Sequence, residues 1–306
     1  MLSRIAESLF WIGRHIERVD GTARLADVVR VSWQEDPTIT EDDTVRMVLQ
    51  VIMGLQVPDG PVSFDDLARY LITDADNATS IASSLRSARE NARRAREIIS
   101  TELWESLNTA YHSWQQVSTS SATHAILWAR SRSALLTGVA DSTMSHDEAW
   151  DFLILGRSLE RADMTARMVA AGALPTGLTW QAVLTSCGAL QAYARTQGGL
   201  MSDRRAAMFL VLDREFPRSV LCALAEAESA LVRLSPTTER LGVADEATRN
   251  LSRIRTSLEF RQVDSVLADL PHEMRRVQRS VKDGSRAAAA RYFPAGSLPV
   301  WHEEML

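Results

Sequence analysis

Residues 12–24 of the chain read IGRHIERVDGTAR, and residues 155–167 read LGRSLERADMTAR. Eight of the thirteen aligned positions are identical, two more exchange Ile for Leu, and Gly13 and Gly156 lie 143 residues apart. A repeat at a fixed spacing indicates repeated structural units, each of which buries its apolar face against a neighbour. We call the two stretches the Glu-Arg motifs, and our prediction of the fold starts from them.

A weaker second echo follows each Glu-Arg motif. Residues 80–88 match SIxxxLxxA, and residues 219–227 match SVxxxLxxA, 139 residues further on. Two echoes in the same order at nearly equal spacing predict tandem, pseudo-symmetric halves over about 1–143 and 144–291.

The composition between the repeats favours helices. Gly and Pro are scarce, with 14 and 9 residues, and they collect at breaks between long stretches rich in Ala, Leu, Arg and Glu. Alternating runs of β-branched residues, which would indicate strands, are almost absent. We predict an all-α, multi-helix bundle with helices near 2–31, 40–54, 64–72, 77–99, 101–117, 120–140, 146–170, 178–197, 203–213, 217–232, 244–260 and 271–291.

Charge and cysteine usage narrow the functional classes. The net charge of −5 argues against a nucleic-acid binder, because phosphate backbones require a basic surface. Cys187 and Cys222 have no CxxC partner, so we expect buried, reduced thiols rather than a zinc site or a disulfide framework. The absence of a signal peptide and of an apolar run of about 20 residues predicts a cytoplasmic protein without a membrane span.

Each Glu-Arg motif has two distinct helical faces. At about 100° per residue, one face carries an apolar packing seam, which in the first motif is Ile12, Ile16, Val19, Ala23 and Ala26. The other face carries Gly, Glu, Asp and Arg, which are Gly13, Glu17, Asp20 and Arg24, then Gly156, Glu160, Asp163 and Arg167. A helix glycine costs roughly 1 kcal/mol relative to alanine. Its presence in both motifs therefore indicates close approach by a helix or a ligand.

Three interpretations of the charged face stay open at this point. Glu17, Arg18, Glu160 and Arg161 can lock the two halves together through buried, bidentate ion pairs. The same side chains can line a ligand or partner site. They can also form exposed pairs that contribute little to stability. The relative position of these four side chains distinguishes the three interpretations.

Recognisable metal and nucleotide motifs are missing. The motif spacing is Glu-x-x-Asp rather than the Glu-x-x-His of di-iron bundles, His15 lies on a different helical face, and interleaved arginines would repel a cation. Neither GxxxxGK[ST] nor GxGxxG occurs. We therefore predict no metal site and no cofactor in this chain.

A second charged cluster occupies residues 86–96, which contain five arginines. Several of them can share a helix face, and guanidinium groups bind carboxylates and phosphates through paired N–H donors. The alternative is a solvated face interleaved with acids. Arg89, Glu90 and Arg93 are the candidate binding residues of this cluster.

Several blocks together resemble the Alpha-E family, an all-helical domain of unknown function named for its Glu-Arg motif. The blocks are LSRxAESLFWxGRxxER at 2–18, ARENAR at 88–93, WExLN at 104–108, LGRxxERAD at 155–163 and FPRSV at 216–220. The resemblance spans essentially the whole chain. It implies one helical domain over 1–291, followed by a C-terminal tail, 292–306.

The family resemblance also implies a functional context. Such proteins are typically encoded beside, or fused to, a circularly permuted ATP-grasp protein of the amidoligase type, and transglutaminase-like and proteasome-like peptidases are frequent neighbours. This context implies a partner or substrate-holding subunit in amide or peptide bond formation. ATP and Mg²⁺ would then belong to the partner, and the substrate would be a small-molecule or peptide carboxylate or amine.

This hypothesis assigns roles to the motif side chains. Arginines would hold carboxylate or phosphate groups, and Glu17 or Glu160, the candidate catalytic residues, would orient an amine. The candidate substrate- or partner-binding residues are Arg14, Arg18, Asp20, Arg24, Arg89, Glu90, Arg93, Arg157, Arg161, Asp163 and Arg167. Two alternatives stay open: an enzyme in its own right that uses the acids as acid/base groups or metal ligands, and a purely structural helical scaffold.

Overall fold

The computed structural model describes residues 1–35, 40–57, 59–175, 177–196, 198, 201–235 and 245–294. Within these residues the chain is all-α, as the composition predicts, and contains no strand. The helices are α1 (Ser3–Glu35), α2 (Glu41–Arg46), α3 (Phe64–Ala68), α4 (Ile81–Arg94), α5 (Thr101–Val117), α6 (Ala122–Thr143), α7 (Glu148–Gly172), α8 (Trp180–Ser186), α9 (Leu190–Thr196), α10 (Asp203–Leu212), α11 (Val220–Leu234), α12 (Glu246–Phe260), α13 (Val263–Leu267) and α14 (Leu270–Tyr292). Two π-helical segments, Met47–Ile52 and Arg69–Thr73, continue α2 and α3.

The two Glu-Arg motifs lie in α1 and α7, which cross each other at the centre of the molecule. Helices α4 and α6 pack on α1, and α5 joins these two. In the same way α11 and α14 pack on α7, and α12 joins them. Each central helix thus has three long partners in the same arrangement. This matching connectivity supports the predicted duplication, which stays a prediction.

The serines of the second echo begin equivalent helices. The Ser80 side chain accepts a hydrogen bond from the backbone N–H of Ser83 at the start of α4. The Ser219 side chain accepts one from the backbone N–H of Cys222 at the start of α11. An N-cap hydroxyl satisfies one of the N–H groups that a helix start leaves without a partner. The second echo is therefore a pair of helix-capping signals.

A single hydrophobic core includes residues from both halves of the chain. The ring of Phe293, just after α14, lies 5.7 Å from Phe10 of α1 and 6.0 Å from Phe152 of α7, between ring centroids. Helix α14 ends at Tyr292, one residue past the predicted end of the last helix at 291, and residues 295–306 of the predicted tail lie outside the described residues. None of the described helices has the length and the apolar character that crossing a bilayer requires.

The structure differs from the predicted helices mainly in the second half. The helix predicted over 178–197 is two helices, α8 and α9, because Gly188 adopts a left-handed conformation with φ of +64°. A β-carbon on Gly188 would also lie 2.9 Å from Nη1 of Arg24, so the turn fits closely over α1. The five-residue helix α13 was not predicted, because so short a segment shows no helical periodicity.

Candidate functional site: the crossing of the Glu-Arg helices

The motif glycines allow α1 and α7 to touch backbone to backbone. A β-carbon on Gly13 would lie 2.0 Å from the carbonyl oxygen of Leu153, and one on Gly156 would lie 1.9 Å from the carbonyl oxygen of Phe10. Contacts this short are impossible, so each position requires glycine. Of the two expectations for these glycines, close approach by a helix is the one that the structure contains.

The Glu160 carboxylate of α7 is held by two arginines of α1. Its oxygens accept hydrogen bonds from Nε of Arg14 at 2.7 Å and from Nε and Nη2 of Arg18 at 2.5 and 2.9 Å. All three side chains are at least nine-tenths buried. Bidentate guanidinium–carboxylate pairs combine charge attraction with a fixed geometry. Glu160 therefore has its hydrogen-bonding capacity directed into the protein.

The reciprocal arrangement holds the Glu17 carboxylate of α1. It accepts hydrogen bonds from Nε and Nη2 of Arg161 on α7 at 3.1 and 2.8 Å, and from Nη1 of Arg218 at 2.6 Å. Arg218 also donates through Nη2 to Asp20. The glutamate of each Glu-Arg dipeptide thus pairs with the arginine of the other dipeptide.

Arg218 is a member of this cluster that the sequence analysis did not select. It lies in the segment between α10 and α11, one residue before the N-cap of α11. Arg218 belongs to the FPRSV block at 216–220. The family resemblance therefore includes this segment, but it does not identify the Arg218 side chain as a site residue. A loop arginine almost 200 residues from its acid partners has no periodic signal that would reveal the pairing.

Further motif side chains fasten the crossing to neighbouring loops. Arg18 donates from Nη1 to the carbonyl of Ala78 at 3.5 Å, and Arg161 donates from Nη1 to the carbonyl of Pro217 at 3.4 Å. The motif threonines act similarly: Thr22 donates to Thr79 O and Thr165 to Arg218 O. These contacts fix the starts of α4 and α11 against the central helices.

The acids and arginines at the ends of the two motifs pair within their own helices. Nε of Arg24 lies 2.7 Å from Asp20, and Nε of Arg167 lies 2.8 Å from Asp163, both at i,i+4 spacing, which brings two side chains together on a helix surface. Arg167 also donates from Nη1 to the carbonyl of Ile52 at 3.0 Å. Both arginines are partly exposed, at 22% and 35% of the side chain. They border the buried cluster rather than belonging to it.

Arg157 departs from the two-fold pattern. The corresponding Arg14 binds Glu160, but Arg157 donates from Nη1 to Asp141 at 2.9 Å and lies 3.8 Å from Glu226, with its guanidinium over the Trp150 ring. Its Nε atom is buried and has no hydrogen-bond partner among the described residues. Arg218 thus supplies the second guanidinium to Glu17 that symmetry would have assigned to Arg157.

The surroundings of the two motif glutamates keep them ionised. Burial by itself raises the pKa of Glu17, but the guanidinium groups of Arg218 and Arg161 outweigh it and hold the pKa at about 2. Burial likewise acts on Glu160, and Arg18 and Arg14 outweigh it, so its pKa lies well below the usual value. A general acid or base works best with a pKa near the operating pH. The arrangement therefore favours the ion-pair lock over an acid/base role for Glu17 and Glu160.

His15 lies beside this cluster and is kept neutral. Burial, reinforced by the positive charge of Arg18, lowers its pKa to about 3. Its ring stacks on Trp11 with centroids 5.5 Å apart, and its buried Nδ1 has no hydrogen-bond partner among the described residues. The imidazole therefore behaves as an apolar ring in a cationic environment.

The second charged cluster lies apart from the crossing, on α4 and α5. Arg89 donates to Asn108 at 2.8 Å and to Glu90 at 2.7 Å, and its guanidinium lies 4.9 Å from the centre of the Tyr111 ring. Glu90 also pairs with Arg93 at 3.1 Å. Arg93 is 58% exposed and Glu90 38% exposed, so this cluster faces solvent. Arg93 and Glu90 have the most exposed side chains of all the candidate binding residues.

Potential metal ligands do not cluster in the part of the chain that the structure describes. No group of three or more His, Cys, Asp or Glu side chains there is placed to hold a metal ion. Cys187 is buried as expected, whereas Cys222 is only partly buried.

Comparisons with known proteins agree with the central place of the motif. A family model described as a predicted alpha-helical domain with a conserved ER motif, named Alpha-E, matches residues 1–293. Uncharacterised proteins of Mycobacterium bovis and of two Mycobacterium tuberculosis strains are 26% identical over 97% of this chain and 38% of their own length. The chain thus spans about two fifths of the length of these relatives, and no solved structure matches it. On the family match over nearly its whole length, the chain belongs to the Alpha-E family.

Proposed function

We propose that this chain is a partner subunit for an ATP-grasp-type amidoligase and helps to hold the substrate during amide or peptide bond formation. The family resemblance supplies the identity of the partner. The mycobacterial relatives support a role in a larger assembly, because the region similar to this chain occupies only 38% of their length. ATP and Mg²⁺ would be bound by the partner.

The hydrogen bonds of the two motif glutamates support a partner role rather than a catalytic role. Glu17 and Glu160 are the candidate catalytic residues, yet Glu160 accepts its hydrogen bonds from two buried arginines, and Glu17 accepts its own from the buried Arg161 and the partly exposed Arg218. An amine substrate would have to displace those arginines and leave their charges buried without partners, which is strongly unfavourable. The acids of the motif therefore suit a rigid framework better than an amine-binding site.

The exposed arginines of α4 are better placed to contact a partner or an acidic substrate. Arg93 projects from the last turn of α4 with 58% of its side chain exposed, and Arg94 beside it is also exposed. Arg89 and Glu90 fix the neighbouring surface through Asn108. We therefore assign partner or substrate contact to this surface, and structural support to the crossing.

Co-purification and activity measurements test the proposal together. The tagged chain should retain the amidoligase encoded with it, and ATP-dependent amide formation by that enzyme should fall when the chain is omitted. The double variant Arg93→Glu/Arg94→Glu should weaken both effects. The matched control Arg195→Glu/Arg205→Glu makes the same charge change at two exposed arginines of α9 and α10 and should leave both effects unchanged. Equal ligase activity with and without the chain would remove the proposed function.

A purely structural scaffold is the second candidate, favoured by the ion-pair lock itself. In that case the chain would retain its partner, but the partner's activity would not depend on Arg93 or Arg94. The same pair of measurements therefore separates the two functions.

A further inference from the structure

A groove of about 350 Å³ lies between the antiparallel helices α12 and α14, away from the crossing. Its lining is Arg253, Ile254, Arg276, Arg279, Ser280 and Asp283. Three guanidinium groups and one hydroxyl, all hydrogen-bond donors, therefore surround one concave surface. Its volume lies within the range of about 300–1,000 Å³ that is typical of small-molecule sites.

The two helices concentrate positive charge in an acidic protein. Together α12 and α14 contain nine Arg or Lys and four Asp or Glu, whereas the whole chain has a net charge of −5. Like charges held close together repel each other, and a bound anion relieves that repulsion. Some of these cations pair with acids outside the two helices, as Arg255 does with Glu228 and Arg291 with Asp245. The arginines that line the groove are therefore the candidates for binding an anion.

The arginines of the groove differ in how they are neutralised. The buried Glu273 carboxylate accepts from Nη1 of Arg276 at 2.8 and 3.1 Å and also pairs with Arg261 at 2.9 Å. This contact fixes the Arg276 guanidinium from one side. Arg253 and Arg279, in contrast, have no carboxylate within ion-pair distance among the described residues. Among the described residues, these two guanidinium groups thus have no ion-paired carboxylate, and Asp283 is the acidic residue of the groove lining.

We propose that this groove binds a small molecule through a phosphate or diphosphate group. Each of these two guanidinium groups can pair with oxygens of a phosphate monoester, which carries roughly two negative charges near neutral pH. Guanidinium forks pair with phosphate oxygens through parallel N–H donors, and the Ser280 hydroxyl adds a further donor. Asp283, at the same groove, can accept a hydrogen bond from a hydroxyl or amine on the rest of the ligand. This inference does not rest on the proposed partner function.

Calorimetric titration of the full chain with pyrophosphate at low ionic strength tests the proposal. We expect saturable binding that is weakened about tenfold or more in Arg253→Gln/Arg279→Gln, because each charge-assisted pair contributes more than a kilocalorie. The control Arg195→Gln/Arg205→Gln removes the same charge from two exposed arginines of α9 and α10 and should retain the wild-type affinity. All three proteins should unfold at the same temperature without ligand, because the changed side chains are exposed.

Two further arms identify the ligand chemistry. Inorganic phosphate should bind more weakly than pyrophosphate, and citrate should bind more weakly still. Tighter binding of citrate would overturn the assignment to phosphate. A lack of pyrophosphate binding, or an equal loss of affinity in the α9–α10 control, would overturn the site itself, because the second result would show a diffuse charge effect.

Discussion

The Glu17 carboxylate and the Arg161 guanidinium join α1 to α7 through hydrogen bonds of 2.8 and 3.1 Å inside the protein. Glu160 and Arg18 make the same connection in the opposite direction. The Glu-Arg dipeptide is therefore self-complementary, because the glutamate of each motif pairs with the arginine of the other motif. Such buried pairs add little net stability when compared with apolar residues, but removal of one member leaves an uncompensated charge.

Glu160→Gln should strongly destabilise the protein. The substitution keeps the shape of the side chain but removes the buried negative charge with which both Arg14 and Arg18 pair. Breaking a buried pair in this way costs about 3–5 kcal/mol. Urea denaturation at neutral pH measures the loss in the free energy of unfolding.

Glu90→Gln provides the matched control, because Glu90 pairs with two arginines at the surface. Exposed pairs contribute about 0–1 kcal/mol, so its stability should change by no more than that. If Glu160→Gln instead remained as stable as the wild type, the carboxylate would not be a structural lock and would return as a candidate ligand-binding group.

Gly13→Ala and Gly156→Ala should each destabilise the crossing. The added methyl group would meet the backbone oxygen of Leu153 or Phe10, neither of which can move without shifting its helix. Overpacking of a core costs about 1–3 kcal/mol and sometimes more. Gly138→Ala in α6 is the control: nothing lies within 4 Å of its added carbon, so it should stabilise the helix by about 0.5–1 kcal/mol. Equal unfolding midpoints for the three variants would contradict the close approach.

The sequence predicts the faces of the motif helices well. Glycine at equivalent positions predicts a close approach, and a β-carbon at either position would collide with the other helix. The helical period also places Asp20 and Arg24 on one face, where they pair. These features depend only on residues of the same helix, whose relative positions the helical period fixes. The all-α architecture is predictable for the same reason, because helix propensity depends on residues that are close together in the sequence.

The sequence does not predict which acid on one helix pairs with which arginine on another. The motif alignment places Arg157 where Arg14 lies, yet Arg157 turns to Asp141 while Arg218 reaches Glu17. The choice of ion-pair partner depends on how two helices are rotated and on which loop covers them. Neither quantity is encoded in the period of a single helix, so the sequence alone leaves both the ion-pair lock and the ligand site open.

The two thiols should differ in reactivity in the native protein. Burial raises the pKa of Cys187 to about 12, and burial together with Glu226 raises that of the partly buried Cys222. Thiolates rather than thiols attack disulfide reagents, and access is also required. At pH 8 we expect slow labelling of Cys222 by a chromogenic disulfide and none of Cys187 until the protein unfolds. Cys222→Ser should abolish the native reaction and Cys187→Ser should preserve it; the reverse pattern would contradict the assignment.

The buried His15 should make the free energy of unfolding depend on pH. This dependence begins at a higher pH than the one caused by Glu17. Its pKa is about 3 in the folded protein and 6.5 in its usual environment, so the unfolded chain binds the proton first. Stability is therefore complete above pH 6.5 and declines as the pH falls towards 3. For Glu17 the corresponding window runs from 4.5 down to about 2, because its folded pKa is depressed. Measurements between pH 6.5 and 4.5 thus separate the effect of His15 from that of Glu17.

Urea denaturation at several pH values in this window should detect the effect. The wild-type free energy of unfolding should fall by about 1.4 kcal/mol per pH unit below 6.5 for one extra proton bound by the unfolded chain. His15→Gln should remove that slope whatever its effect on absolute stability. His124→Gln, which changes an exposed histidine at the start of α6, should retain it. An unchanged slope in His15→Gln would show that another group binds the extra proton on unfolding. The His15 imidazole would then accept its proton in the folded protein as readily as in the unfolded chain.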